Sequence, residues 1–305
     1  MELWVRYLKE LVSVLMSTYK EPVVWVEKAV NSILNQTYKN IEFVVIIDDP
    51  TNYEVIAFIE SVCQKDNRVK LIKNEKNIGL VASLNKGLKF CDGKYIARMD
   101  ADDISMLDRI EKQIIAIQRY CADVVGANTQ TFTEQSVCKE KIIYSSSWAC
   151  KQVLYWCNCC PHPTWLVKKE IYIKLCGYRD IKACEDYDFL IRASLAGAKI
   201  INCPEVLLLY RDNASSISHV NNYHQQVIAE YIAEGYRNGR VMALAEINAF
   251  LHSEQYQKRM LKLKACSQKH KTAVRIKLSL MLRNKYIAFV KYCDYGVRKL
   301  RKKIT

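Results

Sequence analysis

The sequence predicts an α/β fold, a mixed, mainly parallel sheet flanked by helices, followed by a basic helical C-terminal extension. Three observations carry that reading. Through the first hundred residues, short β-branched apolar runs alternate with stretches whose apolar residues recur at helical spacing. Acidic residues gather where the apolar runs end. Charge is also partitioned: the 305 residues contain 46 Lys and Arg and 32 Asp and Glu, of which 16 basic and 2 acidic lie between Leu251 and Thr305, so the first 250 residues are balanced.

The elements follow in order. Leu11 to Met16 is an apolar run of the kind buried in a parallel sheet, and Pro22 after it suits the first turn of a helix carrying Val26, Ala29, Val30, Ile33 and Leu34. Ile41 to Ile47 reads as a second strand ending in the turn signal Asp48-Asp49-Pro50. A helix through Val55, Phe58, Ile59 and Val62 leads to a third strand at Val69 to Ile72, and an amphipathic stretch reaches Leu88. Lys94 to Met99 is the fourth strand. Beyond it the pattern predicts a helix from Ile110 to Tyr120, a strand at Asp123 to Gly126, helices at Lys168 to Leu175 and Tyr187 to Ala196, and a last strand at Glu205 to Tyr210. Residues 131–160 match no period. From Tyr223 the pattern is helical, then basic, and its apolar positions up to Leu251 suit helices packed back on the body.

Composition narrows the class. Half the residues are apolar and 26% are charged, with 9 Gly and 5 Pro, which excludes disordered and collagenous chains. No run of eighteen apolar residues offers a spanning helix, and Met1 to Glu10 has no apolar core of a secretory leader, so a cytosolic protein is expected. Thirteen scattered cysteines argue for reduced thiols. Cys157, Cys159, Cys160 and His162 lack the second, distant pair of a zinc site and are read as packed thiols and a loop histidine.

In an open α/β sheet ligands bind beyond the carboxyl ends of the strands. Asp49 ends the second strand, and Asp100-Ala101-Asp102-Asp103 ends the fourth. Such a cluster repels itself unless a cation or a donor group offsets it. From spacing alone two readings stand: a metal–diphosphate site, or a solvated acidic turn ahead of a helix. Asp186 and Asp188 have the same ambiguity, because acidic first turns are common.

The ordered motif set resembles an inverting nucleotide-sugar glycosyltransferase of family 2, with the GT-A fold. The carrying segments are Val12 to Lys20, Ser32 to Tyr38, Phe43 to Asp49, Asn77-Ile78-Gly79, Leu84 to Gly87, Arg98 to Ser105, His162-Pro163-Thr164, Gly177-Tyr178, Cys184 to Phe189, Leu208 to Arg211 and Ser215 to Ser218. They run in order over roughly residues 11 to 218, which sets a catalytic domain at 1–220 and a helical, strongly basic region at 221–305.

The resemblance implies roles for the site. Ser17 and Tyr19 border the nucleotide base, Asp49 accepts a hydrogen bond from it, Asp100 lies beside the ribose, and Arg211 reaches the diphosphate. Asp102 coordinates Mn2+ or Mg2+, Asp186 is the general base, and Glu185 and His162 shape the acceptor side. The expected partners are a nucleotide-sugar donor, a UDP-sugar, and a glycan or lipid-linked acceptor in surface polysaccharide synthesis. A basic tail interleaved with Met260, Leu261, Leu263, Leu278, Leu280 and Phe289 suits an anionic membrane surface on the cytosolic side, with no nucleic acid expected. A nucleotidyltransferase would require a glycine-rich loop after the first strand, and Ser17 to Glu21 contains no glycine. A non-catalytic basic adaptor would have no need of both Asp102 and Asp186.

Overall fold

The computed structural model describes residues 10–133, 136–141, 145–213 and 222–265. Its centre is a nine-stranded sheet. The strands are β1 (Val12–Thr18), β2 (Ile41–Ile47), β3 (Val69–Lys73), β4 (Tyr95–Asp100), β5 (Ile104–Ser105), β6 (Val124–Phe132), β7 (Val137–Lys141), β8 (Leu166–Lys168) and β9 (Ile200–Arg211). Their order is β3-β2-β1-β4-β8-β6-β9-β5, with β7 on β6. The first half is parallel throughout, β1 lying between β2 and β4. β8 then pairs antiparallel with both β4 and β6, so the sheet is mixed.

Helices α1 (Val23–Leu34), α2 (Tyr53–Lys65), α3 (Leu80–Leu88) and α4 (Arg109–Arg119) make the crossovers. The sheet is covered on both faces, and successive residues of one strand feed different cores. Phe43, Val45 and Ile47 of β2 join Val26, Ile33 and Ile59 in one cluster, whereas Val44 and Ile46 join Leu84 in the other. Each such fully buried side chain stabilises the fold by about 1.5–3 kcal/mol. A Cβ added to Gly87 would lie 2.4 Å from Leu15 Cδ1, so α3 approaches the sheet as closely as it does because that residue has no side chain.

The first four strands and their helices match the periodicity. The second half differs from it for identifiable reasons. β5 and β8 span two and three residues, too short for any period to register. β6 and β9 run well beyond the apolar segments expected, because buried Asn128, Thr129 and Asn202 interrupt the apolar pattern. Their register jumps from Ala127–Cys203 to Asn128–Val206, which leaves Pro204 and Glu205 as a bulge, and Asn128 Nδ2 donates to the Pro204 carbonyl at 2.6 Å. The unassigned stretch contains β7 and α5 (Ser147–Leu154), the latter N-capped by Ser146.

Helices α6 (Lys169–Lys174), α7 (Glu185–Leu195), α8 (Asn222–Arg237) and α9 (Leu244–Leu251) complete the described fold. Ile228, Ile232, Ala233 and Tyr236 of α8, with Met242 and Ile247, share a core cluster with Trp165, Phe189 and Leu190. The helical residues 254–265 continue this packing: Leu263 and Met260 meet Val227 and Phe250, and Arg259 pairs with Glu234 at 2.8 Å. Met260 and Leu263, read from sequence as part of a membrane-facing stripe, therefore pack inward, while Leu261 stays exposed. Ser215 to Ser218 and the rest of the basic tail, 266–305, lie outside the described residues.

Candidate active site

The parallel strands β1, β2 and β4 end on one side, above a cavity of about 1080 Å³. Ser17 and Asp100 are register partners on neighbouring strands and both line it. So do Tyr19, Asp102, His162, Glu185 and Asp186. Residues from the first strand, the fourth strand and α7, as far apart in sequence as Ser17 and Asp186, thus face one space.

The acidic turn is built around buried arginines. Asp100 Oδ1 accepts from Arg98 Nη2 at 2.5 Å, and Arg98 also donates to the Met99 carbonyl. Arg109, fully buried on α4, donates to the Arg98 carbonyl at 2.6 Å, and burial pulls its guanidinium down to about 10. Carboxylate oxygens of Asp100, Asp102 and Asp103 all lie within 4.8 Å of one another. Burial, then Asp100, then Glu21 push Asp102 up to about 7, and burial with neighbouring Asp100 and Asp102 pushes Asp103 well above its ordinary range. Among the described residues, Asp103 Oδ2 is buried without a hydrogen-bond partner. Burial is the first cause of both shifts and the neighbouring carboxylates come next, and an all-oxygen donor set suits a hard divalent cation. Asp100 and Asp102, which face the cavity, would hold it.

Opposite, Asp186 opens α7. Its Oδ2 accepts from Asn158 Nδ2 at 2.6 Å and its Oδ1 from the Tyr187 N–H at 2.7 Å. Glu185 beside it is pushed up to about 8, by burial first and Asp186 second. Asp188 acts elsewhere. It is buried, and its carboxylate takes ion pairs from Arg179 and Arg192 that tie α7 to the preceding loop. A purely structural acidic helix start therefore describes Asp188, and Asp186 is the member that reaches the cavity.

The remaining residues singled out in the sequence fall in three places. Tyr19 is exposed on the cavity wall, with Lys20 Nζ 5.0 Å from its ring centroid. His162 is buried, shares a hydrogen bond with Tyr178 Oη at 2.8 Å, and burial keeps its imidazole well below its usual range, so it is a neutral wall residue. Asp49 and Arg211 are not on the cavity wall. Asp49 accepts from the Thr51 N–H and hydroxyl in its own turn, and Asp48 faces the cavity instead, accepting from Ile78 N–H and Gly79 N–H at 2.9 Å. Arg211 lies between the rings of Trp25 and Phe132 and donates its Nε–H to the Asp102 carbonyl at 2.7 Å. Periodicity could not choose between Asp48 and Asp49, because β2 is buried on both faces.

Two further site residues were missed. Glu21 Oε2 accepts from Thr18 Oγ1 and the Tyr19 N–H, closing the loop after β1, and the T-x-x-E spacing was its signal. Asn158 lies in the stretch without a period, and nothing local announced it. The cysteines nearby are packed thiols: Cys150, Cys159 and Cys160 are buried together, and the acidic turn is the one group of at least three potential metal ligands among the described residues.

A mixed sheet whose parallel strand ends open onto an acid-lined cleft is the architecture of the GT-A glycosyltransferases. The fold superposes on a mannosyltransferase from Pyrobaculum calidifontis in complex with GDP-Man and Mn2+, with a TM-score of 0.59 at 15% identity over 99% of this chain and 94% of that one. It matches S. aureus TarS in complex with UDP-GlcNAc with a TM-score of 0.60 at 16% identity, over 88% and 80%. The model of Glycosyl transferase family 2 matches residues 13–184, and the chain belongs to that family. An uncharacterized glycosyltransferase of Methanocaldococcus jannaschii is 35% identical over 67% of this chain and 71% of its own length. The O-antigen biosynthesis glycosyltransferase WbnJ of Escherichia coli is 29% identical over 79% and 93%.

Proposed function

We propose that the chain transfers a sugar from a nucleotide-diphospho-sugar, a UDP-sugar, to a glycan or lipid-linked acceptor with inversion at the anomeric carbon. The observation that carries the reading is that Asp102 and Asp186 line the same cavity from opposite elements. Mn2+ or Mg2+ held by Asp102 with Asp100 would neutralise charge developing on the departing nucleoside diphosphate. Ser17 and Tyr19 would flank the base and Asp100 the ribose. Asp186 would take the proton of the acceptor hydroxyl as it attacks from the face opposite the leaving group, a contribution of about a hundred- to ten-thousand-fold. One in-line displacement of this kind inverts the anomeric centre, as in the base half of an inverting glycosidase.

Surface polysaccharide synthesis is supported by the O-antigen role of WbnJ. No described helix is long and apolar enough to cross a membrane, and the reading of the basic tail as a peripheral contact on the cytosolic leaflet rests on its sequence. The test is a panel of UDP- and GDP-sugars with Mn2+, Mg2+ or chelator, scored for nucleoside diphosphate release. Metal-dependent release from a UDP-sugar that rises with a glycan acceptor is the expected result. Release of pyrophosphate from a sugar phosphate and a nucleoside triphosphate would replace the reading with nucleotidyl transfer.

A further inference from the structure

Glu185 and Asp186 are adjacent carboxyls on one cavity wall, and two such groups at close range do not ionise independently. Burial and the neighbouring carboxylate set the state of Glu185, whereas Asp186 meets hydrogen-bond donors. Asn158 supplies one to Asp186, and its own orientation is not arbitrary. The Cys160 N–H donates to Asn158 Oδ1 at 3.0 Å, which turns the amide so that Nδ2 points at Asp186 Oδ2, 2.6 Å away. The Tyr187 N–H holds the other oxygen. Asp186 is thus gripped at both oxygens from two elements, the chain ahead of the His162–Thr164 turn and the first turn of α7.

We propose that Asn158 is a positioning residue for the transfer reaction: locked by Cys160, its amide keeps Asp186 the charged member of the pair and fixes the direction in which that carboxylate meets the acceptor. The proposal rests on Asp186 being the base. Cys184 on the same turn and Cys160 opposite are thiols, both held protonated by burial, and Arg98 and Asp100 of β4 act on Glu185 with opposite signs. Burial, with Asp186 next, keeps Glu185 protonated to about 8, so at neutral pH it places an acid rather than a second anion beside the base.

Asn158→Asp tests this, because it preserves volume and the acceptor for the Cys160 N–H while replacing the donor to Asp186 with a carboxylate. Asn158→Ala is the second variant, free of any new charge. In both, the acid limb of the kcat–pH profile is expected to move up, by about one unit in Asn158→Ala and further in Asn158→Asp, so that kcat well below the limb falls about tenfold per unit and recovers in alkali, with UDP affinity unchanged. A profile superimposable on wild type, or a kcat lowered by one factor at every pH, would overturn the proposal. Asp186→Asn separates this from failure of the base itself. If that variant still transfers sugar, both fall. If it is inactive while the Asn158 variants keep the wild-type profile, only the role of Asn158 falls.

Discussion

Arg211 donates its Nε–H to the backbone carbonyl of Asp102 at 2.7 Å, beneath the turn rather than in the cavity. Through this bond the guanidinium braces the loop that presents the candidate metal ligand, and the Arg211 backbone N–H also binds Asp103 Oδ1 at 2.8 Å. The last residue of β9 thereby sets the height of an acidic turn more than a hundred positions earlier in the chain.

Replacing that brace is expected to cost stability before it costs chemistry. Arg211→Met should lower unfolding free energy by about 1–3 kcal/mol, since it leaves the Asp102 carbonyl without its donor and removes the contacts with Trp25 and Phe132. A urea melt measures this. A variant as stable as wild type with weakened UDP binding would return Arg211 to the diphosphate.

Asp102→Ala should weaken Mn2+-dependent donor binding by about tenfold or more, since an aspartate facing the cavity is lost from the oxygen donors. Calorimetry of UDP binding with and without Mn2+ reads it. Equal affinities in the two proteins would remove Asp102 from the metal site.

Asp186→Asn should abolish transfer while leaving donor affinity within about twofold, because the amide is isosteric and cannot accept the acceptor's proton. Single-turnover transfer beside UDP titration separates the two effects.

Glu185 makes stability pH-dependent. Its folded-state carboxyl is raised to about 8, so between its ordinary value near 4.5 and 8 the folded protein holds a proton that the unfolded chain has released. Stability from this group is therefore greatest in acid and declines as pH rises through that window. Glu185→Gln, neutral at every pH, should melt close to wild type at pH 5 and above it at pH 9. Parallel melting curves at both values would mean that Glu185 ionises freely.

The membrane proposal needs a cut that leaves the core intact. Residues 254–265 pack on α8 and α9, so the chain should be ended after Ala265. That truncation is expected to keep the melting temperature and to lose co-sedimentation with phosphatidylserine vesicles at low salt. Undiminished co-sedimentation would place the membrane contact elsewhere.

The sequence by itself determined the parallel half of the sheet and the acidic strand end. Val12 to Thr18, Ile41 to Ile47 and Tyr95 to Asp100 are apolar runs bounded by turn residues, and such patterns are local. It also determined that Asp102 and Asp186 are present, and the ordered motifs around them marked the family. What only tertiary structure decided is which polar side chain points where. Asp48 rather than Asp49 faces the cavity because the turn after β2 directs alternate carboxylates apart. Asp188 and Arg211 spend their charge inside the protein because their partners, Arg179 and the Asp102 carbonyl, arrive from other elements. Asn158 meets Asp186 across twenty-eight positions. A hydrogen bond acts over about 3 Å in space, and no period or spacing in a chain encodes which distant residues packing will bring within it.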